Sequence, residues 1–80
     1  LLEDVRAYPN PSNGAFEFFI PNDIEEIGLE LYDIQSRLIV SKIYKVTKGR
    51  VAIDIKDKPS GVYFAKINSK NPVFVKLIKN

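Results

Sequence analysis

Apolar residues in this chain recur at every second position, in short runs broken by glycine, proline and asparagine. A period of two is the mark of strands that bury one face. The stretch from Asp57 to Ile67 shows it most fully. Pro59 presets φ at the corner of a β-turn, Gly61 suits the position that leaves a type I turn, and the chain then becomes extended. Tyr63, Ala65 and Ile67 fall on one face, Val62 and Phe64 on the other. A strand apolar on both sides is expected in the middle of a sheet rather than at its edge. The spacing Pro59-x-Gly61-x-Tyr63 also fits a tyrosine corner, in which a Tyr entering a sandwich strand bonds back to upstream backbone.

The other segments follow in the same style. Val5 to Tyr8 is a brief extended piece, ended by Pro9-Asn10-Pro11-Ser12-Asn13-Gly14. The prolines there forbid helix, and Asn-Gly favours positive φ. Ala15 to Ile20 sets Phe16, Phe18 and Ile20 on one face, and Pro21-Asn22-Asp23 closes it. Ile27 to Tyr32 alternates Ile27, Leu29 and Leu31 against Gly28, Glu30 and Tyr32. A helical period over Ile24 to Leu31 is the alternative, opposed by Gly28 at its middle and by β-branched residues around it. Asp33 to Arg37 is a short turn whose end residues are placed to pair.

Leu38 to Tyr44 slips phase: Leu38 and Val40 agree, but Ile43 does not. A β-bulge near Ser41-Lys42 or an edge position would repair this. Lys48-Gly49 turns the chain into Arg50 to Ile55, the cleanest alternation present. Asn68-Ser69-Lys70-Asn71 leads to Pro72 to Lys79, with Val73, Val75 and Leu77 on one face. About seven short strands at this spacing predict an all-β antiparallel sandwich. Residues 1 to 7 read as the end of a linker with the first short strand, and 8 to 80 as one domain.

Eighty residues lie near the size at which a single core is just sufficient. The absence of cysteine excludes disulfides and thiolate metal sites, and counts slightly against export, since small secreted domains are often stapled. No apolar run reaches membrane-span length, the first residues do not resemble a signal peptide, and a chain opening on Leu1 is expected to be part of something longer. With neither His nor Cys, the commonest general base, nucleophile pair and transition-metal ligands are missing, so no catalytic, cofactor or metal site is expected. Asp23, Glu25 and Glu26 are the densest acidic cluster, but lack calcium-loop spacing and read as a solvated loop.

Charge is unevenly distributed. Residues 1 to 33 carry eight acidic side chains and one basic, whereas residues 34 to 80 carry eleven basic and two acidic. Either oppositely charged strands interleave and pair, or Lys66, Lys70, Lys76 and Lys79 build a basic surface for an anionic partner. Nucleic acid is not expected, because no recognition helix or RNA-binding aromatic motif accompanies the lysines.

Four segments together carry a family resemblance. Tyr8-Pro9-Asn10-Pro11-Ser12-Asn13-Gly14-Ala15-Phe16, Asp33 with Arg37-Leu38-Ile39-Val40, Pro59-Ser60-Gly61-Val62-Tyr63-Phe64 and Lys76-Leu77-Ile78-Lys79 fall in the order and at the spacing of one family. They resemble the motifs of the type A C-terminal sorting domains of the type IX (Por) secretion system. Ser36 stands where that family carries Gly, and Ser resists positive φ, so this turn is expected to take a different type.

The resemblance implies an Ig-like β-sandwich that acts as an export label, with cargo fused N-terminally. It also implies recognition by an outer-membrane translocon after transit through the periplasm of a Gram-negative bacterium. Cleavage by a sortase-type peptidase would follow, with delivery to the cell surface or medium and joining of cargo to anionic lipopolysaccharide. Gly61, Tyr63, Lys76 and Lys79 are the residues carried over for recognition by the translocon. The glycine and tyrosine look structural, the lysines look like direct contacts, and the last strand is expected at a sheet edge open to strand addition. Direct membrane insertion is not implied. The other reading is an Ig-like accessory module, binding carbohydrate or spacing domains in a larger secreted hydrolase. A sugar site would need a coplanar exposed row of aromatics.

Overall fold

The computed structural model describes residues 5–21, 24–68 and 72–80. Seven strands build two antiparallel sheets: β1 (Ala7–Tyr8), β2 (Ala15–Phe19), β3 (Glu26–Asp33), β4 (Leu38–Lys45), β5 (Arg50–Asp54), β6 (Gly61–Asn68) and β7 (Val73–Lys79). One sheet has the order β1-β2-β5, the other β4-β3-β6-β7. Each predicted strand is present, and Ile24 to Leu31 contributes to β3 rather than to a helix. Parts of the turns 21–23 and 68–71, with Asp23 of the acidic cluster and Lys70 of the basic surface, lie outside the described residues.

Alternation fills the space between the sheets. Phe16, Phe18, Val51 and Ile53 from the smaller sheet meet Ile27, Leu29, Leu31, Tyr63, Ala65, Ile67, Val75 and Leu77 from the larger, all buried. Each large apolar side chain removed from water contributes about 1.5–3 kcal/mol. The strand expected at the centre is central: β6 pairs with β3 on one side and β7 on the other. Its second apolar face, Val62 and Phe64, is half-buried on the outside of the larger sheet.

The turns obey their residue chemistry. Lys48 and Gly49 hold φ of 53° and 74° between Thr47 and Arg50, which exchange both backbone hydrogen bonds. That is the two-residue hairpin whose backbone twist matches the strands.

Strand β4 corrects one expectation. It is an edge strand, one of the two arrangements expected, but its register against β3 shifts where Tyr32 faces Leu38 and Leu31 faces Val40, leaving Ile39 as the extra residue. The bulge therefore lies at Ile39, not at Ser41-Lys42. Beyond it, Lys42 stands opposite buried Leu29 on the inner side, while Ile43 faces outward opposite Gly28 and is 69% exposed.

Charge follows the interleaved arrangement in the larger sheet. Strand β3, with Glu26 and Glu30, runs between basic β4 and β6, with Glu26 opposite Lys45 and Glu30 opposite Lys66. The Lys66–Glu30 pair closes to 3.8 Å, and Tyr32 Oη donates to the same Glu30 oxygen at 2.7 Å.

Candidate recognition surface

Strand direction brings the four motif segments to one end of the sandwich. Strand β3 ends there at Asp33 and β4 begins there, β5 leaves there through Asp54, β6 enters at Gly61, and β7 finishes at Lys79. The loop between β1 and β2 belongs to the same end, since Ala15 faces Asp54. Strand β1 runs antiparallel to β2, so the chain enters the domain from the opposite end.

Two of the segments face each other across an open hollow of about 330 Å³. Asp33, Gln35 and Arg37 line one side; Pro59, Gly61 and Tyr63 line the other. Asp33 organises the first turn. Its Oδ1 accepts the N–H groups of Gln35 and Arg37 at 2.9 Å each, and its Oδ2 accepts Arg37 Nε at 2.7 Å. The Arg37 backbone N–H, more than the guanidinium beside it, holds the carboxyl below the usual Asp range. The expected pairing of Asp33 with Arg37 is thus present.

Ser36 corrects the second expectation. It adopts φ of 65°, the left-handed conformation glycine takes freely, with its N–H bonded to Asp33 O at 2.9 Å. Bonds on both sides fix the turn, so the serine bears the strain instead of changing the turn type. Ser36→Gly is therefore expected to raise stability by about 1 kcal/mol, from the cost of placing a side chain in this region less glycine's greater freedom when unfolded. Urea denaturation of the two chains measures it; a loss of stability would contradict the strain.

Across the hollow, Tyr63 is buried and its Oη donates to Pro59 O at 2.6 Å, completing the tyrosine corner. Gly61 opens β6 at φ 148°, with open space where a Cβ would stand. Its requirement is conformational rather than steric.

The two carried-over lysines do not share a face. Lys79 turns its Nζ to Lys58 O at 2.7 Å, tying the strand end to the turn before β6. Lys76 lies with Phe74 and Ile78 on the outer face, exposed. Of the basic surface expected from Lys66, Lys70, Lys76 and Lys79, the described lysines are accordingly divided between two directions, Lys66 and Lys76 on the outer face and Lys79 toward Lys58 O.

Sequence reasoning missed what Asn10 and Ser12 do. Asn10 Nδ2 donates to Lys76 O at 2.7 Å and its Oδ1 accepts Ile78 N–H at 2.9 Å. Ser12 N–H donates to Ile78 O at 3.0 Å, and Ser12 O accepts Asn80 N–H at 2.8 Å. The loop after β1 thus runs parallel to the outer edge of β7 and closes its C-terminal half. The last strand is at an edge, as expected, but only its first half is open.

Exposed aromatics do not form one row. Tyr8 and Phe19 pair on the smaller sheet at 5.2 Å with planes 31° apart, while Phe74 stands on the larger sheet.

Among known families, the model of a secretion system C-terminal sorting domain matches residues 6–80. No curated protein matches the chain. The match takes in all seven strands and all four motif segments. The chain belongs to the C-terminal sorting domains of the type IX (Por) secretion system, which direct export to the cell surface or medium.

Proposed function

We propose that the motif-bearing end of this sandwich is read by the outer-membrane translocon as the export label of an N-terminally fused cargo. The label would be read after periplasmic transit in a Gram-negative bacterium, and a sortase-type peptidase would then cut between cargo and domain. The domain itself does no chemistry; the peptidase does. The observation that carries this reading is the convergence of segments near residues 10, 35, 60 and 78 on one end of the fold. Entry of the chain at the opposite end supports the order of events, because cargo and cleavage point then stand clear of the motif-bearing end.

A reporter fused ahead of residues 1 to 80, in a bacterium that has this export system, tests the reading. The reporter is expected at the surface or in the medium; retention in the periplasm would overturn it. Single substitutions separate contact from support. Lys76→Ala is expected to impair export while leaving the melting temperature unchanged, since its side chain makes no ion pair among the described residues. Lys79→Ala is expected to lose about 1 kcal/mol of stability as well, through its bond to Lys58 O. Equal thermal effects from both would contradict their different surroundings.

A further inference from the structure

Four edge strands bound the two sheets, and three carry features that discourage another strand from pairing. Strand β1 has two residues. Strand β5 has five, with Arg50 and Asp54 at its ends. Strand β4 has the bulge at Ile39 and an inner-side charge, Lys42, whose Nζ sits 5.1 Å from the Tyr44 ring centre. Short length, bulges and inward-pointing charges are how proteins protect an edge. Strand β7 has seven residues in unbroken register with β6, and its inner-side positions ahead of Lys79 are Val73, Val75 and Leu77.

The outward backbone groups of β7 can be counted. Lys76 C=O, Ile78 N–H and C=O, and Asn80 N–H point away from β6, and all four are taken by Asn10 and Ser12. By the two-residue repeat of a strand, Phe74 N–H and C=O and Lys76 N–H point the same way. None has a partner among the described residues. Around them the outer face carries 63%-exposed Phe74 and Lys76, which makes no ion pair among the described residues, opposite Lys66 and Phe64 of β6. Glu30 is the carboxylate within ion-pair reach of Lys66, at 3.8 Å.

We infer that Phe74 to Lys76, in the half of β7 away from the motif-bearing end, is a strand-addition site, at which an extended segment of the export receptor joins the larger sheet as a fifth strand and adds to its contact with that end. Lys76 on the outer face selects acidic side chains in the added strand, with Lys66 one strand further in. Val73 and Val75 select apolar side chains on the inner face, so the incoming segment alternates acidic and apolar residues. Naming the partner as the export receptor rests on the sorting reading; the place and mode of contact rest on the edge itself.

The test uses the 15N-labelled chain with two synthetic peptides, one alternating Glu and Val, the other Lys and Val. The acidic peptide is expected to slow exchange of the Phe74 and Lys76 amides by about tenfold or more, leaving β4 and β5 unchanged. Phe74→Pro removes an N–H that makes no bond within the described fold, as prolines at edges do, and should abolish both that protection and reporter export. Phe74→Ala should keep the protection. Lys76→Glu keeps the backbone and should turn the preference toward the lysine peptide, which covers the case of Phe74→Pro failing to fold.

Equal binding of the two peptides would overturn the inference. So would protection at β4 or β5 instead, or protection that grows with domain concentration alone, the sign of a second copy. If the unaltered fusion is exported and folded Phe74→Pro is exported equally, strand addition fails while the sorting reading stands. If the unaltered fusion stays in the periplasm, the sorting reading fails, and the peptide titration still decides the edge.

Discussion

Tyr63→Ala is expected to lower the free energy of unfolding by about 3–5 kcal/mol, the range for truncating a buried large aromatic. A domain of this size has about 4–12 kcal/mol in all, so the variant stands near the limit of folding. The side chain is 4% exposed, on a strand paired on both sides, and its hydroxyl anchors Pro59 O. Removing it opens a void between the sheets and frees the turn that forms one wall of the hollow between Asp33 and Pro59. Tyr63→Phe separates the two contributions: it keeps the ring and loses the hydroxyl, for about 1 kcal/mol. Urea denaturation measures both. Similar losses in the two variants would show that the hydrogen bond, not the packed ring, holds this corner.

Gly14→Ala is the second large effect, expected to cost about 2–4 kcal/mol from overpacking together with a side chain at positive φ. Gly14 holds φ of 121°, and a Cβ there would lie 2.8 Å from both Lys56 Cα and Lys56 N. Those are backbone atoms, next to the bond from Ile55 N–H to Gly14 O that continues the β2–β5 ladder, so relief requires the two strands to part. A fall of about 10–20 °C in melting temperature follows for a domain this small. Gly61→Ala, at φ 148° with empty space around it, should cost less. The reverse ranking in thermal melts would contradict the steric account.

The strand pattern was legible because most strands bury one face fully. Strands β3, β5 and β6 alternate as their burial does, and the tyrosine corner followed from three residue positions. Strand β4 departs from the pattern because apolar residues there do not all face inward. At this overhanging edge Leu38 and Ile43 face solvent while Lys42 takes an inner-side position, so the slip was visible but its place was not. Ser36 misled for another reason. Its own preference argued against positive φ, but Asp33, Gln35 and Arg37 bond around it and decide the geometry. The lysines of the last strand could be named from their motif, but their separate directions depend on where Lys58 O and the outer face lie. The hold of Asn10 on Lys76 and Ile78 joins residues more than sixty apart, which no local pattern announces.

That hold ties the opening loop of the domain to its final strand, and the two become one cooperative unit. A chain shortened by its last few residues loses more than a ribbon: Asn10 and Ser12 forfeit their partners, and β6 is left as a bare margin. Long-range closure of this kind makes folding all-or-none and ranks among the slower steps of assembly. Truncated or nicked molecules would therefore fail to display a finished label, so cargo bearing an incomplete tail would be screened out by the fold before any receptor inspects it.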